Sequence, residues 1–195
     1  DFFWNDNNAY DDIQQDGYSH GSKEGRWSAA EGNGGGGSIG TCPNCMIIPL
    51  RMGDGFVANT NAFANGAIYA VDMGVSVLQE ALGALNNTAH TLQAIEYCWN
   101  RGVTIIGSAA DETSWHANMP GANHHVVYTK AIRFDAPQQE NTTSWFGFSN
   151  CTNYGGRSMI SSPAEGCSSG GTGRASGIAG LLHSAARDAL DAGVI

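Results

Sequence analysis

The chain has 195 residues, a length that suits one compact domain able to bury a real core. Its formal net charge of −9 argues against nucleic acid or an anionic membrane as partner. No run of about 18 apolar residues offers a membrane span. The 27 glycines are well above ordinary usage and signal many turns and close backbone approaches.

Residues 1–15 are polar and rich in Asp and Asn, and read as loop. Within them Asp6, Asn7, Asn8, Asp11 and Asp12 are oxygen donors suited to Ca²⁺, but they lack the EF-hand spacing. A solvated acidic loop is the simpler reading, and no other cofactor is implied. A short helix is predicted over 20–31, followed by a glycine run at 33–37. Cys42 and Cys45 form a lone CxxC; zinc would require a second ligand pair, and no second CxxC or HxxxH follows. Disulfides Cys42–Cys45 and Cys151–Cys167, with Cys98 left over, suit a secreted acidic protein. Five buried thiols in a reducing compartment are the alternative.

The apolar run 46–52 (MIIPLRM) predicts a buried strand. Helical spacing of Phe63, Ala67, Ile68 and Val71 predicts a helix over 59–73, with Asn59 to Asn61 as cap candidates. Strands follow at 75–78, 103–110, 125–129 and 157–162. A helix over 88–101, with Leu92, Ile95 and Trp99 on one face, ends at Gly102. A long helix over 172–191 closes the chain. Short apolar strands alternating with helices predict an α/β fold of three layers, αβα, around a mainly parallel sheet. Ligands of such sheets sit at the carboxyl ends of the strands. There is no internal repeat and no second domain, so residues 1–195 read as one domain.

Six segments, in order, resemble the motifs of the subtilisin-like serine peptidases. DDIQQDGYSHGSKEG is similar to a motif HGTxVAG, and TCPNCMIIPLRM to APNAxIIPVRV. AIYAVDMGVSVLQEALG is similar to AIxYAxxxGAxVINMSLG, and RGVTIIGSAAD to GVxVVAAAGN. FSNCTNYGGRSMISSPAEG is similar to FSNYGxxVDVxAPG, and GGTGRASGIAGLL to GTSMASPHVAGxxAL. The resemblance implies a subtilisin-like fold and a Ser–His–Asp triad aided by an Asn in the oxyanion hole.

Carried over position by position, the resemblance places His20 at the catalytic histidine. A gapless match counted back from Gly180 places Thr172 at the nucleophile; anchoring on GTG instead places Gly173 there and leaves no nucleophile. Asp111 stands at the oxyanion Asn, as an acceptor in place of a donor. The segments 81–83 (Ala81, Leu82, Gly83) and 108–109 (Ser108, Ala109) correspond to substrate-binding stretches. No DTG-type strand precedes His20, so the domain is expected to lack the strand that bears the family's Asp. The chain begins at Asp1 and shows no signal-peptide pattern, hence reads as a processed product or a fragment. An N-terminal piece of the same precursor, or another chain, is the expected partner.

Glu24, Glu80 and Arg174 replace small or apolar residues of the motifs, and Arg26 stands at a glycine. Lone buried charges are costly, so a network joining Glu24 and Glu80 to Arg174 is expected. Three readings follow. The first is a degenerate, secreted pseudo-peptidase with a binding or structural role. The second is a working endopeptidase using Thr172 and His20 with an Asp from elsewhere. The third is carboxylate chemistry on Glu24, Glu80 and Asp111.

Overall fold

The computed structural model describes residues 1–10, 20–34, 37–53, 59–84, 86–111, 118–132, 159–164 and 167–195. Its elements are α1 (His20–Ala29), α2 (Thr60–Asp72), β1 (Val77–Glu80), α3 (Ala89–Asn100), β2 (Thr104–Ser108), β3 (Val126–Ile132), β4 (Ile160–Pro163) and α4 (Cys167–Asp191). Local chemistry sets the helix ends. The Asn59 side chain caps α2 by accepting from the Asn61 N–H at 2.9 Å, and the Thr88 hydroxyl caps α3 by accepting from the Thr91 N–H at 3.1 Å. Gly74 (φ 79°) and Gly102 (φ 71°) turn α2 and α3 into the strands that follow, in a conformation that a Cβ would strain.

The four strands pair in parallel in the order β1-β2-β3-β4. Alternation along them separates two faces. Leu78, Ile105 and Val126 pack with Phe63, Ala64 and Ala67 of α2 and with Ala94, Ile95 and Cys98 of α3. Their neighbours Val77, Ile106 and Val127 pack with Ala175 and Ala179 of α4. Helix α4 touches all four strands, and α1 lies against α4. The result is the expected three-layer α/β arrangement with a parallel sheet.

Two expectations about elements are corrected. The run 46–52 is not a strand: Met46 is 97% exposed, and Ile47 and Ile48 are exposed as well. A strand requires a bonded neighbour, and among the described residues β1 is an outer strand with no partner beyond β2. On α3 the buried stripe is Thr91, Ala94, Ile95 and Cys98, whereas Leu92 and Trp99 face outward. Trp99 stacks on His125, with ring centroids 4.2 Å apart. The Cys42–Cys45 disulfide is formed, and Cys98 is a buried free thiol. The expected Cys151–Cys167 pairing falls on residue 151, outside the described residues.

Candidate active site

Helices α1 and α4 meet along two rows of residues spaced by four. His20 faces Ser169, Glu24 faces Gly173 and Ser28 faces Gly177. A Cβ added at Gly173 would lie 2.8 Å from the Glu24 carbonyl oxygen, and one at Gly177 would lie 2.8 Å from that of Ser28. Glycine is therefore what lets the helices approach this closely. The approach brings the first residue of α1 to the first turn of α4.

There His20 Nε2 and Ser169 Oγ are 3.1 Å apart, within hydrogen-bond reach of a base and its nucleophile. Thr172 is fully buried one turn further along, and its hydroxyl donates to the Ser168 carbonyl oxygen at 2.9 Å. Helix α4 begins at Cys167, five residues before the predicted start. A second register of the motif brings Ser169 into view. Setting 167–177 (CSSGGTGRASG) under GTSMASPHVAG puts Ser169 under the first Ser, Thr172 under the second and Gly177 under the final Gly. Three residues are nearly one turn, so helical spacing alone does not choose between the two registers.

Asp111, just beyond β2, serves the same helix end. Its carboxylate accepts from the Ser168 N–H at 2.9 Å, satisfying a backbone donor that the helix leaves unpaired. The Ser168 hydroxyl lies between that carboxylate and the Ala109 carbonyl oxygen, 2.6 Å away. Asp111 thus caps α4 with acceptor oxygens next to Ser169.

The expected charge network does not form. Arg174 lies over the ring of Trp27, 4.7 Å from its centroid, and pairs with neither glutamate. Glu80 continues the alternation of Leu78, so its carboxyl lies by Gly107 on the α2–α3 side, and the sheet separates it from α4. One of its oxygens accepts from the Leu82 N–H at 3.2 Å. Glu24 is 3% exposed, and its Oε1 lies 3.9 Å from His20 Nε2. Burial raises the Glu24 carboxyl to about 7, with Lys23 acting against the shift and Asp111 with it. Burial likewise raises Glu80 well above the carboxylate range. Burial shifts both carboxyl groups toward their neutral form.

The stretches 81–83 and 108–109 close the carboxyl ends of β1 and β2, where ligands of open α/β sheets bind. Asn118 ties them together, donating through Nδ2 to the carbonyl oxygens of Leu82 (3.2 Å) and Ser108 (2.9 Å). Its own N–H donates to the Tyr128 hydroxyl at 3.1 Å. Nothing in the motifs pointed to Asn118. In the acidic loop, Asp6 and Asn8 accept from the N–H groups of Asn8 and Tyr10, and Asp11 and Asp12 fall outside the described residues.

No protein-family model matches the chain. It is 29% identical over 194 residues to thermitase of Thermoactinomyces vulgaris, covering 92% of this chain and 66% of that protein. It is also 29% identical over 126 residues to a thermophilic serine proteinase of Bacillus sp. (strain AK1), covering 64% of this chain and 31% of that one. The chain therefore spans under two thirds of these relatives. Among solved structures, the prenylagaramide maturation protease PagA superposes with a TM-score of 0.72 at 17% identity, over 93% of this chain and 69% of that one. The patellamide maturation protease PatA superposes with a TM-score of 0.65 at 18% identity, over 83% of this chain and 64% of that one. With the six ordered motifs, the sequence relatives and the parallel sheet in agreement, the chain is a relative of the subtilisin-like serine peptidases and carries their α/β fold.

Proposed function

We propose that the chain carries the nucleophile and base of a serine peptidase, with Ser169 and not Thr172 as nucleophile. The observation behind this reading is the 3.1 Å approach of His20 Nε2 to Ser169 Oγ. Ser169 Oγ would attack the peptide carbonyl carbon as its proton passes to His20 Nε2. His20 would then return that proton to the leaving amine nitrogen as the C–N bond breaks. Water repeats the sequence on the acyl-enzyme. The positive end of α4 favours the developing oxyanion. Asp111, by contrast, offers acceptors where a donor would help, and losing one such donor costs roughly 2–4 kcal/mol in the transition state. The family's orienting Asp would come from another segment or another chain. The Cys42–Cys45 disulfide supports an oxidising, extracellular setting.

Asp111 also favours a second reading, a degenerate domain kept for binding. A fluorophosphonate probe with mass-spectrometric site mapping separates the two. The peptidase reading expects labelling at Ser169 that persists in Thr172→Val and is lost in Ser169→Ala and His20→Ala. A wild-type chain that stays unlabelled would leave the binding reading as the better account.

A further inference from the structure

We propose that Glu24 is a positioning residue of the Ser169–His20 pair, its carboxylate pairing with the His20 imidazolium from the nucleophile's side. This deepens the reading above. The first ground is geometry. Glu24 follows His20 by one turn of α1 on the row that faces α4. Its Oε1 is 3.9 Å from Nε2, the same ring nitrogen that lies 3.1 Å from Ser169 Oγ. Two groups, a carboxyl and a hydroxyl, therefore converge on one nitrogen.

The second ground is the unmet side of the carboxyl group. Glu24 is buried, and among the described residues its Oε2 has no hydrogen-bond partner. It lies beside Gly173: a Cβ added there would be 3.5 Å from Oε2. A buried carboxyl whose structural role was complete would have both oxygens bonded. The groups acting on it are His20 and Lys23 from α1 and Asp111 from beyond β2. Arg174, the cation of α4 next in sequence to Gly173, is turned over Trp27 instead.

The chemistry follows from the shared nitrogen. When Ser169 gives its proton to Nε2, an imidazolium forms within ion-pair reach of Glu24. An ionised Glu24 stabilises that imidazolium. A protonated Glu24 does not. Burial raises Glu24 to about 7, and two groups within ion-pair reach are expected to titrate as a coupled pair. The pair is expected to be silent in acid and to engage as the pH rises through neutrality.

NMR titration of the His20 imidazole in the full chain tests this without requiring turnover. The His20 signals are assigned by their loss in His20→Ala. The wild type should titrate in two coupled steps. Glu24→Gln should titrate in one step, displaced to lower pH by about one unit, a tenfold change, as expected when an opposite charge at 4–6 Å is removed. Superimposable wild-type and Glu24→Gln curves would overturn the proposal. If Glu24→Gln does not fold, the Glu24 carboxyl carbon is titrated in wild type and in His20→Ala. A midpoint indifferent to His20 overturns the proposal equally. Failure of Ser169 to accept a fluorophosphonate is a separate result, which removes the peptidase reading and leaves the Glu24–His20 pair standing.

Discussion

Glu24 and Glu80 each carry a carboxyl group that burial shifts toward its neutral form, which gives stability a definite pH dependence. Both have a folded-state pKa above the ordinary value, Glu24 at about 7 and Glu80 well above the carboxylate range. Over that interval the native state binds more protons than the unfolded state, so stability falls as the pH rises. The contribution is fully present below the ordinary carboxylate range and lost as the pH passes each folded value. For Glu24, moving from 4.5 to about 7 amounts to at most about 3 kcal/mol. Urea denaturation at pH 5 and pH 8 should show the wild type weaker at pH 8, and Glu80→Gln should flatten that difference. Equal slopes in the two proteins would show that Glu80 is already ionised and solvated. The sequence showed correctly that these charges were anomalous. It could not show their remedy, because the alternation that sends Glu80 to the far side of the sheet from Arg174 is a property of the assembled strand.

At the scale of elements, the distance between base and nucleophile is set by how closely α1 can lie on α4. Gly173 and Gly177 are the contact points, and at each an added Cβ meets a backbone oxygen of α1 at 2.8 Å. Backbone atoms move only with their helix. Gly173→Ala is therefore expected to destabilise by about 1–3 kcal/mol, as overpacked cores do. It should also reduce Ser169 labelling, because α1 carries His20 with it. Gly21→Ala provides the contrast: nothing lies within 4 Å of a Cβ there, and α1 should gain about 0.5–1 kcal/mol in helix propensity. Thermal melts of the two variants should move in opposite directions; a common direction would show that close approach is not what Gly173 provides. The same glycine-rich helix leaves the register of the nucleophile motif open. Serines at 168, 169 and 176 stand among glycines at 170, 171, 173, 177 and 180, so registers one turn apart look alike. Only the location of the helix start, and the partner across from it, separates Ser169 from Thr172.

At the scale of the whole molecule, the parallel sheet and its two helical layers were legible because apolar runs, caps and glycine stops agree with one another. Asn59, Thr88 and Gly102 each lie where the sequence put them. The run 46–52 misled because composition reports that a segment is apolar, whereas becoming a strand depends on a neighbour. That missing neighbour has a consequence for the molecule in solution. Among the described residues the outer side of β1, from Val77 to Glu80, faces no further strand, and no proline or cation interrupts it. β4, at the opposite margin, ends in Pro163. Unprotected margins of this kind recruit further strands, so β1 is where copies of the chain should first adhere to one another. Sedimentation velocity across a concentration series should show self-association that Gln79→Lys suppresses and Ser161→Lys leaves unchanged. Equal suppression by the two substitutions would mean that added charge, and not the β1 margin, controls how the molecules assemble.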